Sequence, residues 1–577
     1  MSFFPLLLPS LASLSPLFLL SLLLFLVAST PLFFFLWRVL YDALGPSRRT
    51  MTSPATNGAS RPPLIHPEQP DSQQHLLAHD ASLTVAQSVS LTLAGDALTV
   101  LDERPSRQAD RTCCGFLPLS GTSARPSLAR SSGATNLPFL SQAPQETHSI
   151  ALFNILDADL SPTDLTITYA TPQPKSEVSV ATLRYPVAQK EKAKIEKWVA
   201  KLLDLAYAAA HRHRRLKVLI NPFGGQGGAR KLYQKYAEPI FAAAGCRLDV
   251  QETTHRGHAT EIAENIDVEA YDAIVCGSGD GLPYEVFNGL AKKPNAREAL
   301  AKVAVAMLPC GSGNAMSWNL YGTGSVSVAA LTIVKGVQTP IDLVSLTQGQ
   351  TRTLSFLSQS FGIVAESDLG TDDIRWMGAH RFTYGFLVRL MRRTIYPCDL
   401  AMKVILDDKK AIKDHYQAYA SSPAPSRPEE APSGGLPELR YGTVQDELPS
   451  DWEVIPGESL GNFYAGNMAI MSKDTSFFPA AVPHDGLMDV VTIDGTVSRP
   501  TSIKMMTSIP EGTFFDMPDV HVRKVAAYRL IPRERKGYIS VDGESVPFEG
   551  FQAEVHQGLG TVLSKSGHLY ETEGPRP

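Results

Sequence analysis

The sequence predicts an α/β domain on a parallel, Rossmann-like sheet, and three observations point there. Between Leu216 and Ala315 short apolar strands alternate with helical segments, the pattern of a parallel sheet covered on both faces. Three of the four predicted strands run into small, polar, glycine-bearing loops, and ligands of such sheets sit beyond the carboxyl ends of the strands. A chain of 577 residues with 44% apolar composition is also too long for one core. At least one companion domain is expected.

The chain opens on an apolar segment. No charged side chain occurs from Met1 to Trp37, and Leu17–Trp37 has the length of a bilayer-spanning helix, about 20 residues. Pro31 is tolerated there as a kink. A cleaved signal peptide usually begins with positive charge, which this run lacks. Arg38, Arg48 and Arg49 follow it instead, which puts the rest of the chain in the cytosol by the positive-inside rule. A true start at Met51 is the third reading. The expectation is a membrane anchor in residues 1–50, with the catalytic part facing the cytoplasm.

Residues 51–147 read as mostly disordered with short strands, because 51–80 and 103–147 are rich in Ser, Pro, Thr, Ala and Gly and poor in large apolar side chains. Alternation and β-branched residues mark strands in Ser82–Leu101 and Ile150–Ala170. Residues 148–213 are therefore expected to hold a β extension and an amphipathic helix, Lys190–His213. The basic stretch His211–Lys217 reads as a solvated helix end. A net charge of −5 and a pI near 6.3 give no reason to propose nucleic acid as a partner. Six cysteines without a CxxC pair or regular spacing describe a reducing compartment.

The chemistry begins at Leu216. The first strand leads into the loop Asn221–Gly228, the second (Arg247–Thr253) into a helix from His258, the third (Asp272–Gly277) into Ser278–Gly281 and a helix from Pro283. The fourth, Val303–Pro309, leads into Gly311–Asn314 and a helix from about Ala315. Each helix start offers free amides and a positive dipole end, so together they predict a phosphate cradle. GxxxxGK[ST] is absent, as is a complete GxGxxG with a ribose-binding acid, so neither a Walker-type nor a dinucleotide site is expected. Asp280, charged near neutral pH, stands where the backbone is most permissive. It is read as a group for proton or metal chemistry, or as the N-cap of the helix that follows.

Asn221–Gly228, Ser278–Gly281 with Glu285 following, and LPCGSGNA at Leu308–Ala315 together resemble the catalytic domain shared by diacylglycerol, ceramide and sphingoid long-chain base kinases. Ser360–Gly385 and YISVDGE, Tyr538–Glu544, resemble the second domain of sphingosine and sphinganine kinases. The resemblance implies a catalytic nucleotide-binding domain over 214–345 and an all-β sandwich lipid-binding domain over 346–577, with a disordered insertion at 414–452. It implies ATP- and Mg²⁺-dependent phosphorylation of the primary hydroxyl of sphinganine, sphingosine or phytosphingosine to the 1-phosphate. A ceramide or diacylglycerol kinase is the alternative, since it would share every nucleotide motif.

By the same resemblance Asp280 is the general base. Asn221, Gly224, Gly225, Thr253, Ser278, Gly279, Gly281, Glu285, Gly311, Ser312, Gly313 and Asn314 line the nucleotide. Arg375 and Arg381 reach its phosphates. Asp542, Gly543 and Glu544 complete that side, the two acids being either rivals for the base role or ligands of Mg²⁺. Ile363 and Val364 line a lipid tunnel, and Asp368 pairs with the substrate's amino and hydroxyl groups. A carboxylate suits a cationic amine and has no such partner in diacylglycerol or in the amide of ceramide. The expected partners are the sphingoid base and a membrane surface. Pro283, Tyr284, Gln226 and Asp372 depart from residues common in the family, and none removes a group the chemistry needs.

Overall fold

The computed structural model describes residues 82–85, 89–102, 146–224, 227–371, 374, 380–392, 394–424 and 433–576. The predicted anchor, Gly225 and Arg375 lie outside these residues, as does the side chain of Arg381. Among the described residues no helix is long and apolar enough to cross a membrane.

The first module is two antiparallel sheets. β1 (Ser82–Val85), β2 (Val89–Ala94), β3 (Ala97–Asp102) and β4 (Glu146–Ala151) pair in chain order, as do β5 (Ile155–Leu160), β6 (Asp164–Gln173) and β7 (Glu177–Pro186). Alternate side chains point to one face, so in β1 Leu83 and Val85 are buried while Ser82 and Thr84 are exposed. Helix α1 (Lys192–Tyr207) packs Ile195, Trp198 and Leu202 into this core. It stops six residues short of the predicted end, at Ala208, whose φ is 44°. The basic stretch after it is not a solvated helix end. Arg214 is buried and donates to the Gly336 carbonyl at 2.5 Å, Arg215 pairs with Asp272 at 2.6 Å, and Lys217 with Asp249 at 2.9 Å.

The second module has the predicted alternation. β8 (Arg215–Ile220), β9 (Arg247–Glu252), β10 (Ala273–Ser278) and β11 (Ala304–Pro309) run parallel in the order β9-β8-β10-β11. β10 and β11 are buried along their whole length, as strands covered by helices on both faces must be. The helices include α2 (His258–Asn265), α3 (Gly281–Ala291), α4 (Ala315–Tyr321) and α5 (Val326–Lys335).

The sheet does not end there. It is mixed rather than purely parallel, because a long strand from far along the chain, Phe551–Ser564, pairs parallel with β11 at Val562 and antiparallel with β12 (Val337–Gln348). Residue 345, the expected boundary, falls inside β12. Where this strand pair loses register, between Ile341 and Leu343, the buried Asp342 carboxylate accepts from Gly558 N at 2.7 Å and Gly486 N at 2.6 Å.

The third module contains β13 (Thr351–Ser355), β14 (Ser358–Gly362), α6 (Ile363–Leu369), α7 (His380–Arg392), β15 (Cys398–Leu406), α8 (Lys409–Ser421) and β16 (Glu453–Ile455). There follow β17 (Leu460–Gly466), β18 (Ile470–Ser472), β19 (Thr475–Ser476), β20 (Met488–Asp494), α9 (Arg499–Ser508), β21 (His521–Pro532), β22 (Ile539–Val541), β23 (Glu544–Val546) and the shared strand β24 (Phe551–Ser564). The path β23-β22-β14-β17-β20-β21-β24 encloses a core of Phe361, Phe463, Val490, Tyr528 and Phe551.

The expected disordered insertion at 414–452 is largely ordered. Part of it is α8, and residues 433–452 pack on the sheet. The Arg529 guanidinium donates to the carbonyls of Asp446 and Thr443, Gln552 donates to those of Tyr441 and Gly442, and Glu554 accepts from the amides of Arg440 and Tyr441. Polar side chains on the sheet thus satisfy the loop's backbone, while Trp452 and Tyr441 meet edge-on at 5.6 Å. A Pro-, Gly- and Glu-rich composition hid both anchors.

Candidate active site

Every predicted nucleotide loop leaves the carboxyl edge of the parallel sheet. At the end of β8, Asn221 N donates to the Gly277 carbonyl at 3.1 Å and the Asn221 side chain accepts from Phe223 N at 3.0 Å. This fixes the start of the first loop against β10. Thr253, buried at the end of β9, donates from its amide to the Ile220 carbonyl at 2.9 Å. Ser278 is buried and its hydroxyl donates to the Gly279 carbonyl at 2.6 Å.

The other two loops touch backbone to backbone. A Cβ on Gly311 would lie 2.4 Å from the Gly279 Cα, so Gly311 needs glycine for close approach, whereas a Cβ on Gly279 would meet the Gly311 Cα at 3.4 Å. Asn314 holds this contact: with φ at 54°, its side chain accepts from Gly311 N at 2.9 Å and donates to the Gly311 carbonyl at 3.0 Å. Ser312 stands exposed at the tip. Gly311→Ala must push the two loops apart, an overpacking cost of about 1–3 kcal/mol. Nucleotide affinity measured by titration is expected to fall about tenfold, and unchanged affinity would show that the loops need not touch.

Asp280 occupies the N-cap position of α3 yet makes no side-chain bond to that helix. Its carboxylate turns to the neighbouring helix, accepting from Ala315 N and Met316 N, each at 3.0 Å. Burial lifts its pKa above the ordinary carboxylate value, against the opposing pull of these amides. Gly313 leaves room beside it, since a Cβ there would lie 3.5 Å from Asp280 Oδ2 and 3.3 Å from the Met471 carbonyl. That carbonyl belongs to β18, which Asn319 holds to α4 through bonds to both the carbonyl (2.7 Å) and the amide (3.0 Å) of Ile470.

The phosphate cradle is therefore smaller than the sequence predicts. The first amides of α4 are taken by Asp280. Those of α2 are taken by Glu285, whose oxygens accept from Gly257 N at 3.0 Å and Ala259 N at 3.1 Å. Glu285 acts here as a helix cap for its neighbour. The start of α3, at Gly281, faces Glu544, whose Oε1 would lie 3.0 Å from a Cβ at that position.

The pair Asp542 and Glu544 divides cleanly. Asp542 and Gly543, with φ of 51° and 83°, form the two-residue turn joining β22 to β23, the geometry that favours Asp-Gly in tight hairpins. The Asp542 carboxylate is buried and accepts from Ser355 Oγ (2.5 Å), Phe356 N (2.9 Å), Leu357 N (3.0 Å) and Ser358 N (2.9 Å). Burial pushes its pKa up to about 6, with these donors opposing. A carboxylate so saturated fits neither a base nor a Mg²⁺ ligand. Glu544 is half-buried and pairs with Arg256, from the turn before α2. As a single accessible acid it fits Mg²⁺, which takes one or two carboxylates together with phosphate oxygens and water.

Ile363 and Val364 open α6 and line an apolar cleft with Phe386, Phe477, Met505 and Phe514. Gly362, at φ 102°, makes the sharp entry to this helix beside the Gly461 carbonyl. Asp368 lies one turn after Val364 and so on the same helix face. Tyr464, a buried residue of β17, accepts from Ser358 Oγ at 3.5 Å. Burial, with the charges of Asp368, Asp542 and Asp280, holds its hydroxyl protonated, while a hydrogen bond from Ser358 opposes them. The sequence reading missed Tyr464, Arg256 and the lock of α6 on α7, where Glu366 accepts from Arg389 at 2.8 Å and Tyr396 at 2.6 Å. Arg256 follows a predicted strand end and was open to discovery. Tyr464 had no local signal.

Comparison with known proteins gives the class first. The family model described as "Diacylglycerol kinase catalytic domain" matches residues 215–346, and "YegS C-terminal NAD kinase beta sandwich-like domain" matches 461–563. Residues 81–208 match a "Domain of unknown function (DUF7493)". The site and these matches define a lipid kinase. Sphingoid long chain base kinase 4 of Schizosaccharomyces pombe is 36% identical over 365 residues, covering 63% of this chain and 78% of that protein. Sphingoid long chain base kinase 5 of Saccharomyces cerevisiae is 33% identical over 430 residues, covering 65% of this chain and 63% of its own length. Human sphingosine kinase 1 is 29% identical over 362 residues, covering 61% of this chain and 91% of its own length. The chain belongs to the sphingoid long-chain base kinase family.

Proposed function

We propose that the protein transfers the γ-phosphoryl group of ATP to the primary hydroxyl of a sphingoid long-chain base, forming its 1-phosphate. The observation that carries this reading is the Asp280 carboxylate seated on the amides of Ala315 and Met316 among the glycine loops, in a chain that also builds an apolar cleft lined by Ile363 and Val364, one helical turn before Asp368. Phosphoryl transfer needs positioning, charge stabilisation and a base near the attacking hydroxyl. The amides of Ala315 and Met316 fix the Asp280 carboxylate in place. Each oxygen keeps a second lone pair, so the carboxylate can take the hydroxyl proton without losing its anchor. Bound Mg²⁺ supplies charge neutralisation on the phosphates, and Glu544 is the acid that would hold it. Arg375 and Arg381 are assigned to the phosphates, and Asn221, Gly224, Gly225, Thr253, Ser278 and Ser312 to the nucleotide.

Asp368 decides the lipid. A protonated amine against this carboxylate makes a charge-assisted bond, which contributes about 1.5–3 kcal/mol. Asp368→Asn is expected to raise KM for sphinganine about tenfold or more, with KM for ATP nearly unchanged. Weakened ATP binding with untouched sphinganine kinetics would remove the residue from this role. Purified protein assayed with labelled ATP against sphinganine, ceramide and diacylglycerol tests the whole reading, and preference for either neutral lipid overturns it. The apolar run before Arg38 supports membrane association with the catalytic part on the cytoplasmic side. Resistance of the full chain to carbonate extraction is the expected result.

A further inference from the structure

The helix that closes the first module carries a pattern that the kinase chemistry leaves unused. One face of α1 packs into the core, with Trp198, Leu202, Leu203 and Tyr207 buried. Along the opposite face Lys194, Lys197 and Lys201 recur at spacings of three and four, within an arc of roughly 60° at 3.6 residues per turn. Lys190, on the short turn Gln189–Glu191 before the helix, extends the line. Lys190, Lys194 and Lys197 are exposed and Lys201 is half-exposed. Glu191 and Glu196 fall off this arc, and Asp204 lies at its edge. Among the described residues no ion pair engages any of the four lysines. On a chain of net charge −5, this is a local cationic line.

One exposed apolar side chain adjoins it on the helix, and a second stands on a neighbouring turn. Leu205, one turn past Lys201, is 46% exposed, and Phe153 is 36% exposed on the turn Leu152–Asn154 that packs against α1. The core side of the helix is held firmly to the catalytic module. Lys335 at the end of α5 donates to the Ala206 carbonyl at 3.0 Å and sits 3.5 Å over the Tyr207 ring. Val178 N donates to Ser327 Oγ at 2.9 Å.

We propose that this lysine face of α1 docks the protein onto an anionic lipid surface. The argument is charge complementarity: a row of ammonium groups, with the exposed Leu205 beside it to enter the headgroup layer, matches a negative bilayer and is screened by salt. The face lies outside the catalytic machinery, so docking needs no turnover and goes beyond the assignment of the active site.

The test is sedimentation of the full chain with vesicles of phosphatidylcholine, with and without phosphatidylserine. The apolar N-terminal segment contributes to binding on both, so the ratio of the two affinities isolates the electrostatic part. Replacing Lys190, Lys194, Lys197 and Lys201 with Gln is expected to lower that ratio about tenfold or more, while the fourfold Lys→Arg variant keeps it. Thermal melting and turnover on detergent-dispersed sphinganine should be unchanged in both. A Gln variant with the wild-type ratio, or an Arg variant that loses as much as the Gln variant, overturns the proposal. If the fourfold Gln protein does not fold, Lys194→Glu with Lys197→Glu provides the same measurement, and failure of that variant to fold would make the lysines structural and end the case. Wild-type protein that prefers anionic vesicles yet does not phosphorylate sphinganine would overturn the substrate assignment and leave the docking face standing.

Discussion

Asp280→Asn is expected to reduce kcat by about 10² or more, the usual weight of a general base, with KM for ATP little changed. The structure adds a physical cost to this substitution. Both carboxylate oxygens accept from amides of α4, so an Asn side chain must turn its NH₂ toward one of those N–H donors. One bond is lost, and stability should fall by about 1–3 kcal/mol. The two effects separate by measurement: melting reports the lost bond, while turnover extrapolated to fully folded protein reports the chemistry. Burial lifts the wild-type carboxyl, so the acid limb of the kcat–pH profile belongs above the ordinary carboxylate range. Turnover near the wild-type value in the folded Asp280→Asn variant would end the base assignment and turn attention to Glu544.

The second large effect is on stability. Asp542→Ala removes an acceptor shared by one hydroxyl and three amides, and it places an alanine at a φ of 51°. Leaving buried donors unpaired where an ionised partner stood costs about 3–5 kcal/mol, a large fraction of the roughly 5–15 kcal/mol typical of a domain. Asp542→Asn should cost clearly less, since Asn tolerates positive φ and keeps one accepting oxygen. Denaturant melts of the two variants give the ranking. Equal, small losses would mean that the hairpin is not pinned by this side chain. Activity should follow the folded fraction in both, which distinguishes Asp542 from Asp280.

These two acids also show how far the sequence could be read. Strand and helix alternation from Leu216 to Ala315 was visible because buried parallel strands are continuous apolar runs and most of them here are closed by a glycine loop. Asp280 stood out by its place among glycines. Its partners did not, because the amides it binds belong to a helix 35 residues further on, and no local pattern announces a cap supplied from outside. The same blindness hid the capping of α2 by Glu285, a residue assigned to the nucleotide by resemblance alone. For Asp542, the turn was legible in the Asp-Gly pair, whereas saturation by Ser355–Ser358 was a tertiary fact. Composition failed at 433–452, where Tyr441 and Trp452 outweigh the surrounding Pro and Gly. The parallel sheet was misjudged only at its border, because β24 arrives from far along the chain.

That late arrival bears on how the protein is made. β11 ends at Pro309 and β24 begins at Phe551, about 240 residues later, which at about 5–20 residues per second is roughly 10–50 s of synthesis. Throughout that interval the catalytic half has left the ribosome with one flank of its sheet open, and an unpaired apolar strand is a template for the wrong neighbour. The nucleotide domain cannot finish folding as an early, independent unit. Its completion waits for the strand of its sheet that is translated after all the others. A premature stop between the catalytic motifs and Phe551 therefore disables those motifs as well, and nascent chains must be sheltered until the strand arrives.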